Sequence, residues 1–322
     1  MNMRILGTGS SLPEAIITNK QLEQIVDTSD EWVRERTGIG ERHVSTGDTV
    51  ASLASKACIK ALEDACKTPE DVDLIIVATC SPELALPCVA CQVQAEIGAD
   101  KAVCFDLNAA CSGFLFALNT AYSYFASGMY KNACIIGAEV LSKIIDWTDR
   151  GTCILFGDGA GAVYVEADES AKKTYTYVQH AIGKKGMVLT CGLRDLSNPL
   201  YSEELMKKYV DMDGREVFAF AARQVSACIN EVLDTAGCDK ESVDYYLLHQ
   251  ANARIIEGIA KRLGEDISKF PTNVEHVGNM SSASIPVLLD ECKKNGTLKP
   301  GNRIVMSGFG AGLTYGASIV TI

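Results

Sequence analysis

The sequence predicts a layered α/β protein built from two copies of one unit. Three observations carry that prediction. Short segments recur in the same order at a nearly constant offset. Helical stretches alternate with continuous apolar runs of strand length. Glycines stand where left-handed helix C-caps are needed. Val72 maps onto Val243, Asn108 onto Asn279 and Cys111 onto Ser282, each 171 residues on. Asn132-Ala133-Cys134-Ile135-Ile136-Gly137 resembles Asn302-Arg303-Ile304-Val305-Met306-Ser307 at an offset of 170. One such match arises by chance, whereas several in order indicate a duplication.

Along the first unit, Thr49 to Cys66 puts Leu53, Ala57, Ala61 and Ala65 on one helical face. Asp73 to Ala78 is a nearly continuous apolar run, as in a strand covered on both sides. Pro87 to Ile97 reads as helix, closed by Gly98. Lys101 to Leu107 reads as strand, and Phe114 to Ala126 as a long apolar helix before Gly128. Each unit is thus expected to run helix, strand, helix, strand, helix, strand, and the two to pack sheet to sheet through shared helices. Glu166 to Thr176 reads as the join, giving halves 1–170 and 171–322. Residues 186–214 lack periodicity and read as an excursion lining or covering a site.

Hydrophobic content of 47% and charged content of 22% are those of a globular protein. The net charge of −11 argues against nonspecific nucleic-acid binding, which needs a basic footprint. The N-terminus has no long apolar run and no segment reaches the ~18 apolar residues of a membrane span. A cytoplasmic protein is expected. Thirteen cysteines in a chain of 322 residues do not form a secreted disulfide pattern. Cys88 and Cys91 have CxxC spacing without a second ligand pair and read as reduced thiols. No metal site is expected.

Chemistry concentrates at three places. Asn108-Ala109-Ala110-Cys111-Ser112-Gly113 links a strand to a helix, so the Cys111 thiol is expected at a helix N-terminus. The field there favours thiolate, the form that attacks carbonyl carbon. His249 follows the strand Tyr245 to Leu248, at the carboxyl end where open α/β sheets place their sites. Its repeat partner is Ala78, so the first half lacks this imidazole. Asn279 lies in the second copy of the cysteine turn, either capping the following helix or facing the same cavity. Ser307-Gly308-Phe309-Gly310-Ala311-Gly312 follows a strand, and its glycines let backbone N–H groups face a developing oxyanion. Phe156-Gly157-Asp158-Gly159-Ala160-Gly161 lacks the lysine of a phosphate loop. Cys, His and Asn in this order also occur in papain-like proteases, but Cys111 is far from the N-terminus and the papain-type Cys-Gly-Ser-Cys-Trp is absent.

Nearly end to end, the chain resembles the thiolase-like condensing enzymes, and among them the β-ketoacyl-acyl-carrier-protein synthase III family. The resemblance rests on Thr28-Ser29-Asp30-Glu31-Trp32 with Arg36-Thr37-Gly38-Ile39, on Ala109-Ala110-Cys111-Ser112-Gly113-Phe114, and on Asp149-Arg150-Gly151-Thr152. It continues through Phe156 to Gly161, His249-Gln250-Ala251-Asn252, Gly278-Asn279 and Gly308-Phe309-Gly310-Ala311-Gly312. It implies a duplicated, five-layer αβαβα fold. It implies that Cys111 takes an acyl group from acyl-CoA, acetyl-CoA first. Malonyl-acyl-carrier-protein then decarboxylates and its carbanion attacks the thioester, opening fatty-acid synthesis. His249 and Asn279 would steady the negative charge of decarboxylation, and backbone N–H groups of Cys111 and Ala311 that of acyl transfer. The family commonly has glycine at Ala311, which matters only if that residue needs φ > 0.

The resemblance further implies coenzyme A contacts at Thr28, Trp32, Arg36, Arg150 and Asn252. It implies an acyl-pocket role for Leu86 across a homodimer, where the family often has phenylalanine, so longer or branched primers come into view. Arg254, Lys261 and Arg262 share one helical face and would dock the acidic carrier protein, although a family lysine is replaced by Ala219. No cofactor is expected, acyl-CoA being a substrate. The alternatives are a sibling condensing enzyme with a specialised primer or a CoA-bound acceptor, a thioester hydrolase, or a non-catalytic scaffold.

Overall fold

Strand residues alternate between two faces, and in this chain the two faces of each sheet meet different helices. The structure is a computed structural model describing residues 2–169, 175–192, 196–203 and 208–322. The first sheet contains β1 (Asn2–Ser11), β2 (Leu74–Ala78), β3 (Val103–Leu107), β4 (Asn132–Glu139) and β5 (Gly159–Asp168), in the order β1-β5-β4-β2-β3. The second contains β6 (Tyr175–Ala181), β7 (Tyr245–Leu248), β8 (Arg303–Gly310) and β9 (Thr314–Thr321), in the order β7-β8-β9-β6. β2 runs parallel to β4, and β7 parallel to β8. In each sheet the strand that follows returns antiparallel. The two sheets therefore share one topology over four strands.

The helices are α1 (Asp30–Thr37), α2 (Val50–Asp64), α3 (Val89–Ile97), α4 (Gly113–Ala126), α5 (Gly214–Ala236), α6 (Ala253–Leu263) and α7 (Ser284–Lys294). On β2, Leu74, Ile76 and Ala78 face a core shared with α4 and α7. Ile75 and Val77 face a second core under α2 and α3. On the other sheet, Leu247, Ile304 and Met306 enter the shared core, while Tyr246, Leu248 and Val305 pack under α5 and α6. Five layers result, with α4 and α7 in the middle. Each buried Leu, Ile or Val contributes about 1.5–3 kcal/mol of transfer free energy. α4 is apolar nearly all round because both of its sides are covered: Phe114, Leu115, Leu118 and Phe125 are fully buried. α6 is one-sided, with Ile255, Ile256, Ile259 and Leu263 inward and Arg254, Lys261 and Arg262 exposed. Among the described residues no helix is long and apolar enough to cross a membrane.

One expectation fails. The segment at the repeat position of β3 is not a strand: Val274–Val277 is a helical turn. Its backbone is engaged elsewhere. Glu275 C=O accepts from Gly40 N–H, Asn279 N–H donates to Leu155 C=O, and Gly157 N–H donates to Asn279 C=O. The chain leaves the second sheet's edge and pairs with the Phe156 glycine turn in an isolated parallel bridge. That turn is a packing device: a Cβ at Gly157 would lie 2.3 Å from Val277 O. The division drawn between residues 170 and 171 falls outside the described residues.

The duplication reaches into backbone strain. Ala110 and Ser281, 171 residues apart, hold φ of 46° and 48°. A left-handed non-glycine residue costs on the order of 1–3 kcal/mol. Both turns accept it because each is clamped by the other half. A Cβ on Gly137 would sit 2.2 Å from Ser282 O, and one on Gly310 2.6 Å from Cys111 N. Glycine at these strand ends lets each sheet close on the opposite turn.

Candidate active site

Cys111 lies in the single 3-10 turn Ala110–Ser112 between β3 and α4. Asn108 Oδ1 accepts from Ala110 N–H at 3.1 Å and shapes the turn. Ser112 Oγ donates to Ala109 C=O and hydrogen-bonds Thr314 Oγ1 at 2.8 Å, tying the turn to β9. The residue as a whole is half-buried. The expected pull toward thiolate is overturned. Burial pushes the Cys111 thiol up to about 12, against a favourable hydrogen bond from Ser281 and with the Glu139 carboxylate adding to the rise. The helix-end field cannot offset dehydration of the thiolate. Cys111 is held as a neutral thiol.

His249 follows β7, its N–H bonded to Ser307 C=O at 2.8 Å. It is 2% exposed and packs edge-on against Phe309 at 5.5 Å. Nδ1 is enclosed without a hydrogen-bond partner, which leaves Nε2 as the ring nitrogen open to the cavity. Burial pulls the imidazole down to about 3, so it is neutral at any physiological pH. Asn279 accepts from Ser281 N–H through Oδ1 at 2.8 Å. That bond fixes the amide and leaves its NH₂ to donate.

The three side chains line one cavity of about 160 Å³, together with Leu155, Phe156, Leu189, Met212, Phe218 and Phe309. The excursion contributes Leu189 and Met212 to its wall. A wider depression of about 630 Å³, lined by Met187, Val188 and Asp211 to Arg215, lies next to it. It contains none of the three side chains, but Met212 and Gly214 line both, so the two lie side by side.

The guanidinium carbons of Arg36 and Arg150 lie 4.7 and 4.9 Å from the Trp32 ring centre. Asn252 caps α6 through Oδ1 to Arg254 N–H and donates through Nδ2 to Arg36 C=O at 3.0 Å. It also lines the cavity. Thr28 Oγ1 is buried without a partner. Ala311 is not among the described non-glycine residues with positive φ, so its side chain causes no backbone strain. Leu86 is 86% exposed and does not line this chain's cavity.

Sequence reasoning missed Ser281 and Glu139. Ser281 touches both Cys111 and Cys80, whose Sγ is 3.9 Å from Ser281 Oγ. Glu139 is fully buried and accepts from Ser81 Oγ at 2.6 Å, Ser282 Oγ at 2.8 Å and Thr79 Oγ1 at 3.1 Å. It ends β4, at the repeat position of Gly310, and bonds the residues that follow Ala78, the repeat partner of His249. The repeat offset was the available signal for Ser281; nothing local marks Glu139.

Two family models match the chain. That for 3-Oxoacyl-[acyl-carrier-protein (ACP)] synthase III covers residues 105–186, and that for the same synthase's C terminal covers 233–322. A β-ketoacyl-[acyl-carrier-protein] synthase III of Clostridium acetobutylicum is 48% identical over 99% of this chain and 98% of its own. The chain belongs to the 3-oxoacyl-[acyl-carrier-protein] synthase III family. It is a condensing acyltransferase of thiolase-like fold. The Aquifex aeolicus synthase III structure matches at a TM-score of 0.93 and 42% identity, covering all of both chains. The priming β-ketosynthase of the R1128 polyketide pathway matches at 0.92 and 32% identity, over 100% of this chain and 96% of its own.

The burial of the two titrating groups gives a pH prediction. Alkylation of Cys111 by iodoacetamide rises about tenfold per pH unit from 7 to 10 without levelling near 9, because thiolate is the attacking form. Malonyl decarboxylation shows no acid limb between pH 5 and 7, since His249 is already neutral there. Stopped alkylation followed by peptide mapping, and carbon dioxide release against pH, check the two. A plateau near pH 8 or an inflection near 6.5 contradicts them.

Proposed function

We propose that this synthase condenses an acyl-CoA primer, acetyl-CoA first, with malonyl-acyl-carrier-protein, and so opens fatty-acid synthesis. The observation that carries this is the convergence of Cys111, His249 and Asn279 on one small cavity beside a surface depression. About 160 Å³ is roughly five water volumes, room for a short acyl thioester. In the first step the S–C bond forms at Cys111, coenzyme A leaves, and the thiol proton ends on its sulfur. Backbone N–H groups of Cys111 and Ala311 are assigned the oxyanion. In the second step malonyl-carrier loses carbon dioxide, and His249 Nε2–H and Asn279 NH₂ donate to the thioester oxygen that gains charge. The tautomer is assigned from the cavity geometry. The carbanion attacks the acyl-cysteine, and the departing thiolate takes up a proton. Two neutral donors suit this step, because neither gives up its proton to the carbanion.

Trp32, Arg36, Arg150, Thr28 and Asn252 are assigned to coenzyme A. The Arg150 guanidinium already lies over Trp32, so a purine stacked on the indole requires it to swing out. Exposed Arg254, Lys261 and Arg262 on α6 are assigned to the acidic carrier. The exposure of Leu86 is consistent with a homodimer in which it reaches the partner's pocket. A second reading, a specialised primer, is supported by leucine at position 86, where the family often has phenylalanine.

The test is product analysis with labelled acetyl-CoA and either malonyl-carrier or malonyl-CoA. The expected product is 3-oxobutyryl-carrier, with Arg254→Glu raising KM for the carrier but sparing primer transfer. Free acid alone overturns the reading. Turnover with malonyl-CoA but not with carrier favours the sibling activity.

A further inference from the structure

We propose that His180, Cys228 and Glu231 form a site for one thiophilic divalent cation, zinc foremost, on the outer side of the second half. Among the described residues, no other group of His, Cys, Asp and Glu brings three or more potential ligand atoms together. All of these atoms lie within 4.8 Å of one another. His180 Nε2 and Glu231 Oε2 are 2.8 Å apart.

The placement follows from two periodicities. On β6, Val178 and His180 share one face, and Val178 packs against the core under α5. On α5, Cys228 and Glu231 are three residues apart and share a face. His180 therefore points toward the Cys228–Glu231 edge of α5. The Tyr315 ring lies 5.2 Å from the imidazole and restrains its plane.

Nitrogen, sulfur and carboxylate together are a zinc donor set. Metal bonds of about 2.0–2.3 Å at tetrahedral angles separate ligand atoms by roughly 3.3–3.8 Å. The imidazole and carboxylate must open slightly to admit the ion. Glu231, whose side chain is 47% exposed, is free to do so. Cys228 is 1% exposed and forms the inner ligand, while His180 and Glu231 face outward. The ion enters from solvent and keeps one position for water, with three protein ligands. Binding releases the thiol proton, and the cation replaces the hydrogen bond between His180 and Glu231. β6 is an edge strand, paired only with β9. The ion would pin it to α5.

Without a metal, the same residues are a half-exposed hydrogen-bonded pair beside a buried thiol, which contributes little. The experiment separates the two. Chelator-treated protein carrying Cys111→Ser, which removes the thiol of the other cavity, is titrated with Zn²⁺ and with Co²⁺. The expected result is one equivalent bound, a thiolate-to-cobalt charge-transfer band, and a raised thermal midpoint. Each of Cys228→Ser, His180→Gln and Glu231→Gln should weaken binding at least about tenfold, and Cys228→Ser should remove the band. His180→Gln is half-exposed and keeps the test readable if the cysteine variant fails to fold. No stoichiometric binding, or binding unchanged in His180→Gln and Cys228→Ser, overturns the proposal.

Discussion

Cys111→Ser abolishes transfer of labelled acetyl from acetyl-CoA to the protein. The expected loss in condensation is at least about 10⁴-fold, within the range found when a catalytic nucleophile is removed. The reason is local. Cys111 stands on a strained turn, its backbone pressed by Gly310 and its neighbour Ser112 bonded to Thr314, so the attacking atom is placed by both halves. Serine preserves that placement and the 3-10 turn. It supplies an oxygen nucleophile whose proton is far harder to remove in the same dry setting. Mass measurement after incubation with acetyl-CoA reads the result directly: plus one acetyl for the parent chain, none for the variant. Labelling of Cys111→Ser at the parent rate would remove Cys111 from the mechanism.

His249→Ala and Asn279→Ala each lower decarboxylation and condensation by about 10²–10³-fold, as removal of one oxyanion donor does elsewhere. Both variants still take up the primer on Cys111. The split follows from geometry. Imidazole and carboxamide share the cavity with the thiol, but neither lies in the backbone turn that shapes it. His249 is neutral because burial pulls it down to about 3, and Asn279 is oriented by Ser281 N–H. Asn279→Asp is the sharper control: it keeps the shape and replaces a donor with a charge that repels the developing enolate. Carbon dioxide release and acyl uptake, measured separately, decide the roles. A variant that loses both equally has lost the pocket rather than a donor, and normal condensation in either alanine variant refutes its role.

Much of this could be seen without coordinates. A constant offset of about 171 residues implied two equivalent units, and strand and helix periodicities implied two sheets joined through shared helices. Cys111 and His249 were legible because each departs from its repeat partner, and Asn279 because it lies in the second copy of the cysteine turn. The failures have physical causes. Only the repeat implied a strand at residues 274–277; Val274 and Val277 are three apart, which suits the helical turn, and the backbone there bonds to the first half, a partner that local pattern does not reveal. The thiolate expectation counted the field at the helix end and missed the dehydration of the site, which depends on what covers it. Ser281 and Glu139 are buried polar residues. Their neighbours come from the opposite half or from distant strands, so no local window contains the contact.

The sequence by itself determined most of the elements, their duplication and which side chains are candidates for the chemistry, because periodicity and residue chemistry are local properties. Only the tertiary structure decided that these side chains share one cavity, that Cys111 is a neutral thiol and His249 a neutral imidazole, and that His180 meets Cys228 and Glu231. Those outcomes depend on burial and on distances between residues remote in the chain. They follow from close packing of the two halves, in which the glycines at 137 and 310 allow backbone contacts that no side chain would permit.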